Sequence, residues 1–174
     1  MTAYFAPIRD MQFVINELAD LSKVAALPTF AEQEVGPELL EAVLEEAAKL
    51  ATEVLAPINK SGDVQGVRID PTGVVSAAGF TEAYRSFIDG GWNGIGSPVT
   101  HGGQGLPELF NTATQEMWNS ANMSFALCPM LNAGAIEAIS RAGSAEQRAL
   151  YLPKMVSGEW TGTMNLTEPQ AGSD

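Results

Sequence analysis

The sequence predicts an all-α domain with the beginning of a strand-forming segment at its C-terminal end. Three observations carry that prediction. Apolar residues recur at helical spacing along most of the chain, Pro and Gly fall between the resulting segments, and only after Glu159 does residue usage turn toward strand. With 174 residues, 45% of them hydrophobic and 17% charged, the chain is long enough to bury one sizeable core and is ordinary for a globular domain.

The first helix is expected after Pro7, capped by Asp10, with Met11, Val14, Ile15, Leu18, Leu21 and Ala25 on one face and an end before Pro28. Gly36 and Pro37 introduce a longer one. There Leu39, Leu40, Val43, Leu44, Ala47, Leu50, Ala51 and Val54 form a broad apolar stripe that should run to Pro57. The stripe predicts burial of Leu40, Val43, Leu44, Leu50 and Val54, whereas Glu38 and Glu41 near the positive end of the helix dipole read as solvated charges. Between residues 58 and 79 the periodicity breaks, and Asp70-Pro71-Thr72-Gly73 between two short β-prone runs reads as a small hairpin or an irregular loop. Helices are expected again from Phe80 to Ile88, from Pro107 to about Leu127, and from Met130 to Ala142. A last one, Ala145 to Val156, follows the cap residue Ser144, with Glu146 and Gln147 in its first turn and Gly158 just past its end.

Nine Lys+Arg against 21 Asp+Glu give a formal net charge of −12, which repels nucleic acid and anionic lipid at long range. The single cysteine, Cys128, has no internal disulfide partner and reads as a small core residue. By inspection no apolar run approaches the ~20 residues of a membrane span. Asp10, Glu17 and Asp20 in the first thirty residues suit neither a signal nor a transit peptide, so a cytoplasmic location is expected.

Three stretches invite a chemical reading. The run Gly91 to Pro107, "GWNGIGSPVTHGGQGLP", holds the only histidine, His101, beside a glycine pair. It has neither a Walker lysine nor a GxGxxG opening a helix after a strand, and one histidine alone builds no zinc site. A turn linking two helices is the simpler reading. Leu127, Met130, Leu131 and Gly134 form a seam at i, i+3, i+4 and i+7, notched where Gly134 lacks a side chain, and periodicity leaves core and ligand channel both open. In the terminal run, Thr163, Asn165 and Thr167 alternate with Met164 and Leu166 before a turn, as a strand half-exposed to a ligand or to water would. Gly172 and Ser173 can present backbone N–H groups and a hydroxyl to an anion.

The stretch "LTEPQAGSD" resembles the flavin-binding signature of the acyl-CoA dehydrogenases, a Thr-Glu-Pro, one variable residue, then Ala-Gly-Ser-Asp; every fixed position from Thr167 to Asp174 matches. "SPVTHGGQGL" is similar to that family's Pro-x-x-x-Gly-Gly-x-Gly loop, and "AGSAEQRALYLPKMVSGEW" to the helix preceding the signature. These segments span roughly Phe80 to Asp174. The opening "YFAPIRDMQFVINEL" resembles the N-terminal extension of a longer bacterial branch of the family.

The resemblance implies an N-terminal helical domain over residues 1–158 and the first strand and turn of a middle β-domain over 159–174, with the rest of that domain and a C-terminal helical bundle missing. It further implies FAD as cofactor and α,β-dehydrogenation of an acyl-CoA thioester to 2-enoyl-CoA, the catalytic glutamate lying in the missing C-terminal domain. Carried over by position, Met164 would pack beside the isoalloxazine, Leu166 and Thr167 would face its pyrimidine edge, and Gly172 and Ser173 would approach the pyrophosphate. Leu127, Met130, Leu131 and Gly134, with Ser173, would contact the acyl-CoA. Electron-transferring flavoprotein as acceptor and a homodimer or homotetramer are implied for the full-length protein. The contrasting expectation is a free-standing helical interaction module derived from the same domain, without catalysis.

Overall fold

The computed structural model describes residues 4–30, 33–165 and 167–172. Among the described residues the chain is mostly helical, with one small hairpin, and a long helix runs through its core.

The opening helix differs from expectation. Helix α1 (Ile8–Phe13) starts directly after Pro7, so Asp10 is a first-turn acid and not the cap. At Val14 it widens into a π-helical turn, Val14–Leu18, closed by Ala19 N donating to Val14 O at 2.8 Å. The wider turn changes the phase of the apolar face. Met11 and Ile15 are buried, while Val14 and Leu18 stand in solvent. Asp20 then breaks the helix in the left-handed region, at φ 57°, and its carboxylate accepts from Ser22 Oγ and Lys23 N to start α2 (Leu21–Ala25).

Helix α3 (Pro37–Lys49) begins with Gly36 as an extended cap and Pro37 in the first turn, where a missing N–H costs nothing. It does not stop at Pro57. A π-helical segment, Leu50–Leu55, leads into α4 (Ala56–Gln65), which places Pro57 in a new first turn. Leu40, Leu44 and Leu50 are buried as expected, but Val43 and Val54 are only half-buried because the stripe is wider than the contact face and its phase shifts through the π segment. Glu38 and Glu41 are exposed.

Strands β1 (Arg68–Asp70) and β2 (Gly73–Val75) pair antiparallel, Ile69 opposite Val74. Asp70 Oδ1 accepts from Thr72 N at 2.8 Å and Thr72 Oγ1 at 2.6 Å, which closes the turn. Helix α5 (Phe80–Asp89) follows and ends at the Gly90-Gly91 pair.

Where the sequence predicts two helices parted between Leu127 and Met130, the structure has one, α6 (Glu108–Ala142), with its break earlier, at Asn122 (φ −160°, ψ 89°). Buried Asn122 donates Nδ2 to Leu55 O (3.1 Å) and accepts Phe125 N on Oδ1 (3.1 Å), so it ties the helix to the π segment and caps its own second half. Pro129 is carried inside that half. Cys128 is exposed on α6, not in the core as its apolar context suggests. By length and composition α6 is also apolar enough to cross a membrane, which the sequence reading did not anticipate; its inward side chains Phe110, Met117, Trp118 and Phe125 instead form the core with α3, α4 and α5. Phe87 meets Trp118 and Phe125 edge-on at 5.9 and 5.6 Å. A second, smaller cluster of Ile136, Leu152, Met155 and Val156 joins the end of α6 to α7 (Ala145–Val156). Helix α7 starts as expected on a capping box, Ser144 Oγ accepting Gln147 N and Gln147 Oε1 accepting Ser144 N.

Candidate functional site

The glycine-rich run between α5 and α6 is a tight strap. Its two limbs pair through Gln104 N to Gly94 O, Gly105 N to Ser97 O and Leu106 N to Ile95 O, all 2.9–3.0 Å. Gly103 lies so close to the Ser97 carbonyl that a Cβ there would overlap it. The glycine pair therefore serves backbone packing. His101 is half-buried in a short 3₁₀ turn, Val99–His101. Among the described residues no cluster of His, Cys, Asp or Glu is arranged to hold a metal.

The strap and both halves of α6 border an open cavity of about 630 Å³, with Ser97 and Pro98 from the strap, Asn111 and Gln115 from the first half, and Met130, Gly134 and Glu137 from the second. Two of the predicted acyl-contact residues, Met130 and Gly134, thus border it. Leu127 and Leu131 do not line it, although Leu127 at 45% and Met130 at 41% exposure share an outward apolar face with half-buried Leu131 and exposed Gly134. That face is not core. Where periodicity left core and channel open, burial excludes the first. Cys128 lies near this face, and packing around its sulfur pushes the thiol up, away from a thiolate nucleophile.

The route from α7 to the terminal run is fixed at two glycines. Gly158 turns the chain at φ 78°, and Tyr84 Oη donates to its carbonyl at 2.9 Å; burial pushes the Tyr84 phenol up to about 12 and keeps it a donor. Gly162 is held next. Its N–H donates to Oδ1 of Asn132 at 2.8 Å, and Asn132, fully buried, donates Nδ2 to Met155 O at 3.0 Å and to Asn93 Oδ1 at 3.3 Å. Asn93 in turn donates to Met155 O and Val156 O, at 2.6 and 3.1 Å. This amide network joins strap, α6, α7 and terminal run.

Beyond Gly162 every described residue of the run is exposed, and none of them lies in a strand. Met164 is 59% exposed, Thr163, Asn165 and Thr167 stand in solvent, and Glu168 closes a turn with Gly172 through Glu168 N to Gly172 O and Gly172 N to Glu168 O, both 3.0 Å. The strand-like alternation finds no partner strand among the described residues, and unpaired edges do not hold strand geometry alone. The predicted contacts Leu166 and Ser173 lie outside the described residues. Met164, Thr167 and Gly172 do not line the cavity bordered by Met130 and Gly134, and the start of the run is tied to α6 through Gly162 and Asn132. Sequence reasoning missed Asn132 and Asn93. A signal existed for the first, because Asn132 falls in helical register with the buried positions Phe125 and Ile136, where a polar residue needs a partner.

Residues 37–159 match the model of the acyl-CoA dehydrogenase N-terminal domain. The chain is 47% identical over 171 residues to 3-methylmercaptopropionyl-CoA dehydrogenase of Ruegeria pomeroyi, a match that covers 98% of the chain and 29% of that relative. It is 32% identical over 174 residues to a butyryl-CoA dehydrogenase of Syntrophomonas wolfei, covering 98% of the chain and 28% of the relative. With the mitochondrial isovaleryl-CoA dehydrogenase of Bos taurus it shares 32% identity over 132 residues, 73% of the chain and 28% of the relative. The chain spans less than a third of the length of these curated relatives.

Proposed function

The chain belongs to the acyl-CoA dehydrogenase family, and on that premise we propose that it is the N-terminal part of an FAD-dependent enzyme that converts an acyl-CoA thioester to 2-enoyl-CoA. The observation that carries this reading is the outward apolar face of α6 beside an open cavity. Leu127, Met130, Leu131 and Gly134 offer an acyl chain an apolar wall with a notch, and nothing among the described residues covers it. An apolar wall of this kind binds by burial of CH₂ groups, about 0.8 kcal/mol each.

The terminal run fits the second group the reaction needs. The amides of Thr163, Met164 and Asn165 have no partner among the described residues, and the Thr167 side chain is exposed, so donors are available for the polar edge of a flavin. Leu166, Ser173 and Gly172 complete the proposed contacts. FAD supplies the hydride acceptor. The chain's own residues would bind and orient it: Met164 would pack beside the ring, and the amide and hydroxyl donors, already in place, would stabilise negative charge as it develops. The base that takes the α-proton is assigned to a glutamate in the C-terminal part of the full-length protein. We assign residues 1–158 to the helical domain and 159–174 to the start of a β-domain, and place the full enzyme in the cytoplasm as a homodimer or homotetramer that passes electrons to an electron-transferring flavoprotein.

Taken alone, the chain is proposed to be inactive. Two or three solvent-competed hydrogen bonds of about 0.5–1.5 kcal/mol each do not offset the ~4–15 kcal/mol cost of immobilising a ligand. Flavin fluorescence titrated with the chain, beside dye reduction by the full-length protein with acyl-CoAs of several lengths, tests both halves. A full-length protein that purifies without flavin and reduces no dye with any acyl-CoA rejects the enzyme reading; micromolar flavin binding by the chain alone rejects the inactivity.

A further inference from the structure

We infer that Asn132 is a positioning residue that clamps the terminal run to the back of the α6 apolar wall, and so sets the separation between the acyl-contact and flavin-contact segments. The inference rests on the reading just proposed only for what the two segments hold. The clamp itself rests on geometry. Asn132 lies between Met130 and Gly134 in sequence but is turned inward, with no exposed surface, while Met130 and Gly134 face out. Its amide is bonded in three directions: Oδ1 receives Gly162 N at 2.8 Å, and Nδ2 donates to Met155 O at 3.0 Å and Asn93 Oδ1 at 3.3 Å.

Each contact removes one freedom. The bond to Met155 fixes α6 against the last turn of α7, and the bond to Asn93 fixes both to the strap. The bond to Gly162 fixes the start of the terminal run two residues before Met164. Gly162 is seated closely enough that a Cβ would overlap Ala135 Cβ and stand 2.9 Å from Met155 Cε, so its fit against α6 is steric as well as polar. Past this point every described residue of the run is exposed. Among the described residues of the run Gly162 is thus the last one anchored to the domain. A leucine at position 132 has the same number and branching of side-chain heavy atoms and abolishes all three bonds, leaving the Gly162 amide unpaired.

Residue-resolved hydrogen exchange on this chain tests the clamp. In the unsubstituted protein the Gly162 amide should be protected while Met164, Asn165 and Thr167 exchange freely. Asn132→Leu should lower Gly162 protection roughly ten- to hundredfold, the equilibrium factor of one buried hydrogen bond, with amides of the main core such as Leu44 unchanged. Gly162→Ala should release the run in the same way, and Ala135→Gly added to it should restore protection; this pair keeps the test decisive if Asn132→Leu does not fold. A Gly162 amide as labile as Met164 in the unsubstituted chain overturns the clamp. So does equal loss at Gly162 and Leu44 in both Asn132→Leu and Gly162→Ala, which would make these residues general core. These outcomes are independent of flavin: if the full-length protein binds none while Gly162 behaves as stated, the clamp stands and only the proposed roles of the two segments fall.

Discussion

The two ends of α6 are held by different physics. Its first half is gripped by apolar contact alone over most of its length, with Phe110 and Met117 fully buried against Leu40, Leu44 and Leu55. Its second half, beyond Phe125 and Ala126, brings Ile136 into a small cluster with Leu152, Met155 and Val156 of α7, beside an amide network around Asn132. Apolar packing is non-directional and tolerates small displacements, whereas hydrogen bonds fix a distance and an angle. The stable half thus anchors the domain, and the polar half aims the segments to which we assign chemistry.

The largest effect should come from breaking the apolar half. Leu44 has no exposed surface and sits where α3 meets α6. Leu44→Ala should cost ~2–5 kcal/mol, the range for a buried leucine whose cavity relaxes incompletely. Denaturant unfolding followed by circular dichroism measures it, and a loss within about 0.5 kcal/mol, the usual surface range, would show that the halves do not differ as described. The next effect lies at the junction. Asn122 is a buried polar side chain that bonds across to the π segment, through Leu55 O. Asn122→Ala removes that donor and the acceptor for Phe125 N, and should cost about 1–3 kcal/mol. If it costs less than Ser144→Ala, an exposed cap worth ~1 kcal/mol, the break in α6 does not depend on Asn122.

This contrast explains what was legible in the sequence. Features whose partners are near in the chain were readable: Ser144 with Gln147 predicted the start of α7, Gly36-Pro37 the start of α3, and Asp70-Pro71-Thr72-Gly73 a turn, of whose two readings, hairpin or irregular loop, the structure has the first. Features whose partners are distant were not. The break at Asn122 depends on Leu55, and the Asn132 bond to Gly162 spans thirty positions. Pro57 misled because a preceding π segment reset the helix so that proline fell in a first turn. The first helix was misread for a related reason, its phase lost at Val14 and its end set by Asp20 in a conformation that non-glycine residues rarely adopt. Of the candidate site, the wall on α6 was visible as a seam, but its outward direction was not, because period alone does not say which face has a partner.

A smaller effect concerns the link between the halves. Tyr84 donates to Gly158 O, and burial raises its folded-state pKa from 10.0 to about 12. Between those values the folded state keeps a proton that the unfolded state has released, so stability should fall as pH rises through that window and be unaffected below it. Tyr84→Phe should cost about 0.5–1.5 kcal/mol at neutral pH and reduce the alkaline loss. Unfolding midpoints measured across that range decide it, and an identical alkaline slope in both proteins would assign the loss to other groups.

The smallest effect on the chain's stability is expected where the proposed function is densest. Leu127 is 45% exposed on the outward face of α6, so truncating it opens no cavity and removes little surface that folding had taken from water. Leu127→Ser should therefore change the unfolding free energy of this chain by no more than ~0.5 kcal/mol, most of it the lower helix propensity of serine. The same substitution in the full-length protein should act differently if the face holds an acyl chain, raising KM more for longer acyl groups than for short ones, because each lost apolar contact is one the bound CH₂ groups would have made. A stability loss near that of Leu44→Ala would move this face into the core. An unchanged KM for every acyl length would leave the face exposed but free the acyl group to bind elsewhere.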